Sequence, residues 1–298
     1  AGAASDKQGD IVLVANSGAI VSLVDGWTFL LQSVITDLTL DSGQYGTITS
    51  IIGQRLFGGG SSIVSVTLAR LQAEITESND THIEVIVPDA APTQGNVLVT
   101  SNTGAVTRLV NGWNFTERGE ITNVVPSSGH YGTSVTITGA NLFGGGNFVD
   151  SLTLAGVEVD EIISQTRSQI LCIAAATTAG FPVDEVTIIA DTGAEITLES
   201  AWSYEIPGVV TEVEPSLGRV GTRVTVRGSG MFGGGASLAL LTLGDVTIPA
   251  DNVVSATDTE IEFVVVESTQ SSVTITITAD TGAIVTSDDN AWTFVASS

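Results

Sequence analysis

The stretch Leu56-Phe57-Gly58-Gly59-Gly60 recurs, with one Leu-to-Met difference, at 142–146 and again at 231–235. The copies begin 86 and 89 residues apart. A motif that returns at a nearly fixed spacing indicates a repeated structural unit, and it is sought before any single element is assigned. The chain is therefore predicted to be an array of repeats of close to 88 residues.

Two further sequence motifs recur once per repeat, each in the same position relative to the triple glycine. Upstream of it, Ser42-Gly43-Gln44-Tyr45-Gly46 returns at 128–132 and, less closely, at 217–221. Downstream, a Thr-Gly-Ala triplet is followed in each unit by a tryptophan: Trp113, Trp202 and Trp292. These landmarks place the units at 33–119, 120–208 and 209–298.

Each unit has the residue pattern of short β-strands. Segments such as Ser134–Thr138 and Val186–Ile188 alternate apolar with polar residues, as half-buried strands do. Turn residues follow every eight to twelve positions, and no helical periodicity persists over eleven residues. Short strands at this density predict an all-β protein of tandem immunoglobulin-like sandwiches.

The unit resembles the IPT/TIG domain. That family has an opening Ile-x-x-x-x-Pro-x-x-Gly, then Gly-x-x-Val-Thr-Ile-x-Gly, and an aromatic last strand. The second unit matches these positions with Ile121, Pro126, Gly129, Gly132, Val135–Gly139 and Trp202–Tyr204. The first unit departs from the pattern, because Leu40 stands where the proline is expected. The resemblance implies an extracellular or cell-surface scaffold, although DNA-binding factors and starch-processing enzymes also use this fold.

The charge balance bears on these alternatives. With 33 acidic and 9 basic residues, the chain has a formal net charge of −24. Such a charge opposes binding to nucleic acid and to anionic lipid. No apolar run is long enough to insert into a membrane. Cys172 is the one cysteine, so an internal disulfide is excluded.

Residues 1–32 form a partial unit that matches only the end of a repeat. Gly18 aligns with Gly104, and Trp27 aligns with Trp113. A lone hairpin is marginal in water, and the first strand of this one, Ile11–Ala15, is apolar on both faces. We therefore expect the hairpin to dock on another copy of the chain, giving head-to-tail contacts that extend as a filament. The residues predicted to make this contact are Ile11, Val12, Leu13, Val14, Ile20, Val21, Leu23 and Trp27. Equal weight goes to the alternative that this is a truncated domain.

The sequence predicts no catalytic, cofactor or metal site. Cys172 lies in an alternating apolar strand and is expected to face the core. When the repeats are aligned with one another, the positions of His82 and His130 are occupied by different polar residues in the other repeats. Both histidines are therefore predicted to be exposed. The tryptophans recur in one column and are expected in the core rather than in a sugar-stacking row, and the triple glycines are expected to form tight loops. Acidic loop residues such as Asp191 and Asp280 could bind calcium, but they lack the Asp-x-Asp-x-Asp spacing of calcium ligands. We therefore favour the interpretation that they form a solvated acidic surface.

Two acceptor sequons begin at Asn79 and Asn114, and both are candidates for N-glycosylation. Asn79 is favoured because Ser78-Asn79-Asp80 has the composition of an exposed turn.

These features predict an acidic extracellular glycoprotein with a structural, non-enzymatic function. The leading hypothesis is a rod of repeats that polymerises into a fibre through the N-terminal hairpin, with other copies of itself as partners. The alternative is the stalk of an adhesin or receptor ectodomain that functions in cell adhesion. A carbohydrate-binding accessory domain ranks below both, because most aromatic residues fall in core columns.

Overall fold

In the computed structural model, the described residues are 6–178, 180–267 and 272–295. Regular structure in these ranges is β-strand, apart from the 3-10 helix Ala250–Asn252. The predicted all-β class is confirmed. Within the same ranges, no helix has the length and apolar character needed to cross a membrane.

An isolated antiparallel hairpin comes first in the chain. Its strands are β1 (Lys7–Val14) and β2 (Ile20–Phe29), which form a two-stranded sheet of their own. Val14 lies opposite Ile20, and Ile11 lies opposite Leu23, with a bulge between Gly9 and Ile11. No other strand of the described ranges pairs with either edge.

The first repeat comprises eight strands that hydrogen-bond in the order β3-β5-β8-β7-β6-β9-β10-β4. The order is continuous because β7 pairs with β6 through its first residues and with β8 through its later ones. One core lies inside and includes Ile51, Val66, Ile83, Val99 and Trp113. The strands are β3 (Val34–Leu38), β4 (Ser42–Gly43), β5 (Ile48–Gln54), β6 (Ile63–Leu68), β7 (Leu71–Ser78), β8 (His82–Ile86), β9 (Thr93–Ser101) and β10 (Val106–Phe115).

The second repeat has two separate sheets, ordered β11-β13-β17-β16 and β12-β19-β18-β14-β15. Inward residues of both sheets, among them Ile137, Leu152, Cys172 and Trp202, form its core. The strands are β11 (Glu120–Val125), β12 (Ser128–Gly129), β13 (Ser134–Ala140), β14 (Val149–Leu154), β15 (Val157–Glu158), β16 (Glu161–Gln165), β17 (Gln169–Ile173), β18 (Phe181–Ala190) and β19 (Glu195–Tyr204).

The third repeat has three sheets among the described residues, ordered β20-β22-β26-β25, β21-β30-β27 and β24-β23-β28-β29. Its core includes Val226, Leu241, Phe263, Ile277 and Trp292. The strands are β20 (Val209–Glu214), β21 (Leu217–Gly218), β22 (Arg223–Ser229), β23 (Leu238–Leu243), β24 (Val246–Thr247), β25 (Val253–Ala256), β26 (Glu260–Val264), β27 (Ser272–Val273), β28 (Ile275–Ala279), β29 (Ile284–Thr286) and β30 (Trp292–Phe294).

The chain divides into two compact units. The first unit contains residues 1–118 and two short loops, 144–146 and 192–195. The second unit contains residues 119–143, 147–191 and 196–298. Loops 144–146 and 192–195 of the second repeat thus belong to the same unit as the first repeat.

Candidate functional site: the N-terminal hairpin and the repeat junctions

The N-terminal hairpin exposes apolar side chains on both of its faces. All eight residues predicted to make an assembly contact are exposed, from 38% for Ile11 to 68% for Val21, with Trp27 at 57%. Exposed apolar area of this extent marks interaction surfaces in soluble proteins. The described part of the chain supplies nothing that covers it.

The hairpin nevertheless has a defined geometry. Gly18 takes a left-handed φ of 82°, and its amide donates to the Ala15 carbonyl at 2.9 Å. The Ala15 amide in turn donates to the Ala19 carbonyl at 2.8 Å, which closes the turn. At the opposite end the rings of Trp27 and Phe29 pack edge to face with 6.3 Å between centroids.

The segment after the hairpin contacts the first repeat within the first unit. The Arg55 guanidinium donates to the Gln32 carbonyl from Nη2 at 2.9 Å and from Nε at 3.2 Å. Leu30 covers Gly59, because a Cβ at this glycine would collide with the Leu30 side chain. These contacts hold the linker and leave the strands of the hairpin uncovered.

Successive repeats contact each other through two loops, which we define here. The GxxG loop comprises residues 42–48, 128–134 and 217–223 in the three repeats. The Gly-Ala turn comprises residues 103–106, 192–195 and 281–284, and residues 17–20 of the hairpin repeat its Gly-Ala core.

In the second unit, the GxxG loop of the second repeat binds the Gly-Ala turn of the third through main-chain hydrogen bonds. The Ser134 amide donates to the Thr281 carbonyl at 2.8 Å, and the Ile284 amide donates to the Tyr131 carbonyl at 2.9 Å. The approach is close, since a Cβ on Gly132 would lie 2.7 Å from Cγ1 of Ile284. Two reciprocal bonds of this kind fix the register of one loop on the other.

The same pair of bonds occurs in the first unit. The Ile48 amide donates to the Thr192 carbonyl at 2.8 Å, and the Glu195 amide donates to the Tyr45 carbonyl at 3.2 Å. The side chain of Gln44 lies beside Gly144, because a Cβ added to Gly144 would be 3.4 Å from the Nε2 atom of Gln44. The contact thus repeats at homologous positions despite different side chains.

His130 is buried at this contact, so the prediction that it is exposed is wrong. Its ring lies against Gly233 of the third repeat, where a Cβ would collide with it, and only 2% of the residue is exposed. Burial lowers the pKa of His130, although the carboxylates of Asp258 and Glu205 oppose the shift. Sequence columns within one repeat do not reveal that the next repeat covers a position. His82, by contrast, is partly exposed.

The cysteine and the tryptophans of the complete repeats are core residues, as predicted. Cys172 is buried, and burial raises the pKa of its thiol to about 12, which makes it a poor nucleophile. Trp113, Trp202 and Trp292 are each fully buried. The same core prediction is wrong for Trp27, which is 57% exposed because no second sheet of the described residues covers it. With three of the four buried, the tryptophans do not form a sugar-stacking row.

Loop carboxylates and triple glycines have structural partners. The triple glycines lie in turns, as predicted. Asp191 Oδ1 accepts from the Asn147 amide at 3.0 Å, and Asp280 Oδ1 accepts from the Ala236 amide at 3.0 Å. The Ala236 amide and neighbouring donors lower the pKa of Asp280. No group of three His, Cys, Asp or Glu side chains within the described ranges is arranged to hold a metal ion.

The two sequons differ in their surroundings. Asn79 is exposed in the turn between β7 and β8, where its Oδ1 accepts from the amides of Thr81 and His82 at 2.9 Å each. Asn114 is also exposed, but it lies within β10, opposite Gln94 of β9 on one side and Ser42 of β4 on the other. The Asn79 turn is the more open of the two.

Comparison with known proteins gives one family match. The family model described as the IPT/TIG domain matches residues 33–116, 120–198 and 209–294. No curated protein matches the chain.

Several solved structures share weak similarity. The plexin A4 extracellular region is 18% identical with a TM-score of 0.43, and the match covers 88% of this chain and 24% of plexin. The SGBP-B protein of a xyloglucan utilization locus in Bacteroides uniformis is 18% identical with a TM-score of 0.26, and the match covers 59% of this chain and 49% of that protein. The Bacteroides ovatus SGBP-B, solved with a mixed-linkage heptasaccharide, is 14% identical with a TM-score of 0.25, and the match covers 88% of this chain and 67% of that protein. The chain spans less than two thirds of the first structures that it matches.

Proposed function

Because the chain belongs to the IPT/TIG domain family, we propose that it is a non-catalytic structural protein of the cell exterior. Its repeats form a rod, with units bounded at 33–119, 120–208 and 209–298. The rod extends head to tail when the N-terminal hairpin of one copy docks on another copy.

One observation carries this proposal, namely the exposed apolar surface of the hairpin. Full burial of one large aliphatic or aromatic side chain contributes about 1.5–3 kcal/mol, and the hairpin presents eight candidates. Leu13 and Trp27 are more than half exposed. Such a surface favours association with another protein segment over exposure to water.

The alternative function is the stalk of a cell-surface adhesin or receptor ectodomain. The hairpin matches the last hairpin of a complete repeat, so upstream strands of a longer chain would cover the same surface without any second copy. In that case the chain by itself forms no ordered polymer. A carbohydrate-binding function has less support, because the tryptophans of the complete repeats are buried.

The two functions are separated by measuring the mass of the particles formed by the full chain. We expect wild-type chain to form concentration-dependent oligomers in light scattering and linear particles in electron microscopy. The double variant Leu13→Asp/Val21→Asp removes apolar surface from the hairpin and should be monomeric. Val254→Asp, at an exposed apolar position of β25, is the matched control and should assemble like wild type.

Monomeric wild-type chain at high concentration would reject polymerisation and favour the stalk. Equal loss of assembly in the Val254→Asp control would show that any added charge disperses the particles, and the hairpin would then have no special role.

We also propose that Asn79 carries an N-glycan. Asn79 is exposed in an Asx turn formed by its Oδ1, whereas Asn114 lies in a strand paired on both sides. Chain from a glycosylating host should lose mass on amidase treatment, and Asn79→Gln should abolish this loss. A loss that persists in Asn79→Gln and disappears in Asn114→Gln would reverse the assignment.

A further inference from the structure

We infer that the GxxG loop of the third repeat, residues 217–223, receives the Gly-Ala turn of the N-terminal hairpin, residues 17–20, from a second copy of the chain. This inference rests on the proposed head-to-tail assembly and names the two surfaces that meet.

The third GxxG loop already has the conformation of the two loops that are in contact with a turn. The Arg219 amide donates to Thr222 Oγ1 at 2.8 Å, as the His130 amide donates to Thr133 Oγ1 at 3.2 Å. Gly221 has a φ of 86°, against 84° for Gly132. A loop that is formed before binding loses little conformational entropy when it binds.

The third loop shares this backbone conformation with the other two but is uncovered. A Cβ on Gly221 would have no neighbour within 4 Å among the described residues, whereas one on Gly132 would touch the turn of the next repeat. Val220 is 60% exposed, and its carbonyl corresponds to the Tyr131 carbonyl that accepts from Ile284. The loop therefore presents an unused copy of a binding surface that functions twice elsewhere in the chain.

The hairpin turn is an equally uncovered copy of the other surface. Residues Gly18-Ala19-Ile20 are identical in type to Gly282-Ala283-Ile284 of the occupied turn. Gly18 has a φ of 82° against 87° for Gly282, and a Cβ on Gly18 would have no neighbour within 4 Å among the described residues. The Ile20 amide occupies the position from which the Ile284 amide donates to the second repeat.

A competing turn, residues 103–106 of the first repeat, is disfavoured by Arg219. The positions equivalent to Arg219 are Gln44 and His130, and both are buried beside the triple-glycine loop of the following repeat. The first repeat has such a loop at 58–60 and would bury the Arg219 charge, at a large cost unless it were paired. The hairpin has no triple-glycine loop, so Arg219 stays in water.

The test uses two full-length variants with exposed substitutions, Ile20→Asp on the turn and Val220→Asp on the loop. Each places a charge where the contact is expected to be close, and each should weaken self-association at least tenfold in sedimentation velocity. An equimolar mixture should form a dimer and nothing larger, since the intact loop of the Ile20→Asp chain meets the intact turn of the Val220→Asp chain. A third variant, Val106→Asp, changes the competing turn and should assemble like wild type.

The outcomes separate this inference from the proposed function. If Val220→Asp assembles like wild type while Ile20→Asp does not, the hairpin mediates assembly but the loop is not its partner, and the inference is wrong. Loss of assembly in Val106→Asp with retention in Ile20→Asp assigns the contact to the first repeat and also overturns it. Monomeric wild-type chain overturns the proposed assembly together with this inference.

Discussion

The hairpins β1–β2 and β9–β10 have nearly the same sequence pattern and the same geometry, but opposite burial. Trp27 and Trp113 occupy the same position, and each packs edge to face on a phenylalanine, at 6.3 Å and 6.0 Å between centroids. Trp113 is fully buried, whereas Trp27 is 57% exposed. Local sequence thus determines the strands and the turn, while burial depends on the rest of a sandwich.

The difference follows from the strands that flank each hairpin. β9 pairs with β6 on its free edge, and β10 pairs with the short strand β4 in parallel. In the N-terminal hairpin, the outer edges of β1 and β2 pair with no strand of the described ranges. An isolated pair of strands buries too little apolar surface to be stable by itself, so the front hairpin gains stability from whatever covers it.

The largest predicted effect comes from removing the equivalent tryptophans. Trp113→Ala leaves a cavity in the core of the first repeat and should cost about 3–5 kcal/mol of its unfolding free energy. Trp27→Ala removes a side chain that packs on no core and should leave that free energy nearly unchanged. Hydrogen exchange of the amides in β9 and β10 measures both. A similar loss of protection in Trp27→Ala would mean that the hairpin packs on the first repeat.

The fold could be predicted from the sequence because the alternation of strand residues and the recurring core positions are properties of each repeat by itself. The alternation in residues such as Ser134–Thr138 and the recurring tryptophan column are properties of one repeat, and a sandwich buries them in the same way each time. The assembly residues of the hairpin were also predicted from the sequence and stay a prediction, because a strand apolar on both faces, such as Ile11–Val14, is unusual at a surface.

The junctions could not be predicted in the same way. Their hydrogen bonds use main-chain groups, such as the Ser134 amide and the Thr281 carbonyl, which leave little trace in side-chain identity. His130 was placed on the surface because its column contains Gln44 and Arg219, and polar residues vary freely in exposed positions. The one available signal was the recurring glycine pair, Gly132 with Gly282, which marks a close backbone approach as well as a turn.

A smaller effect separates a covered Gly-Ala turn from an uncovered one. Gly282→Ala and Gly104→Ala both place a Cβ at a left-handed φ, of 87° and 82°, which costs about 1 kcal/mol in each. At Gly282 the added Cβ would also lie 2.9 Å from the Gly132 carbonyl oxygen, whereas the space around Gly104 is open among the described residues. We expect Gly282→Ala to be more destabilising by about 1 kcal/mol, as measured by hydrogen exchange of the adjoining strands. Equal effects would show that the contact at Gly282 adjusts without cost.

The smallest predicted effect concerns protonation of the covered loop. Burial lowers the pKa of His130 below the value near 6.5 of an unfolded chain. The unfolded state therefore binds more protons as pH falls through 6.5, so the contribution of neutral His130 is present above that pH and is lost below it. His130→Gln places there the residue that occupies the same position in the first repeat, Gln44, and removes this titration. Urea unfolding at pH 7.5 and 5.5 should show a smaller difference in the variant than in wild type, while an equal difference would assign the pH dependence to the surrounding carboxylates.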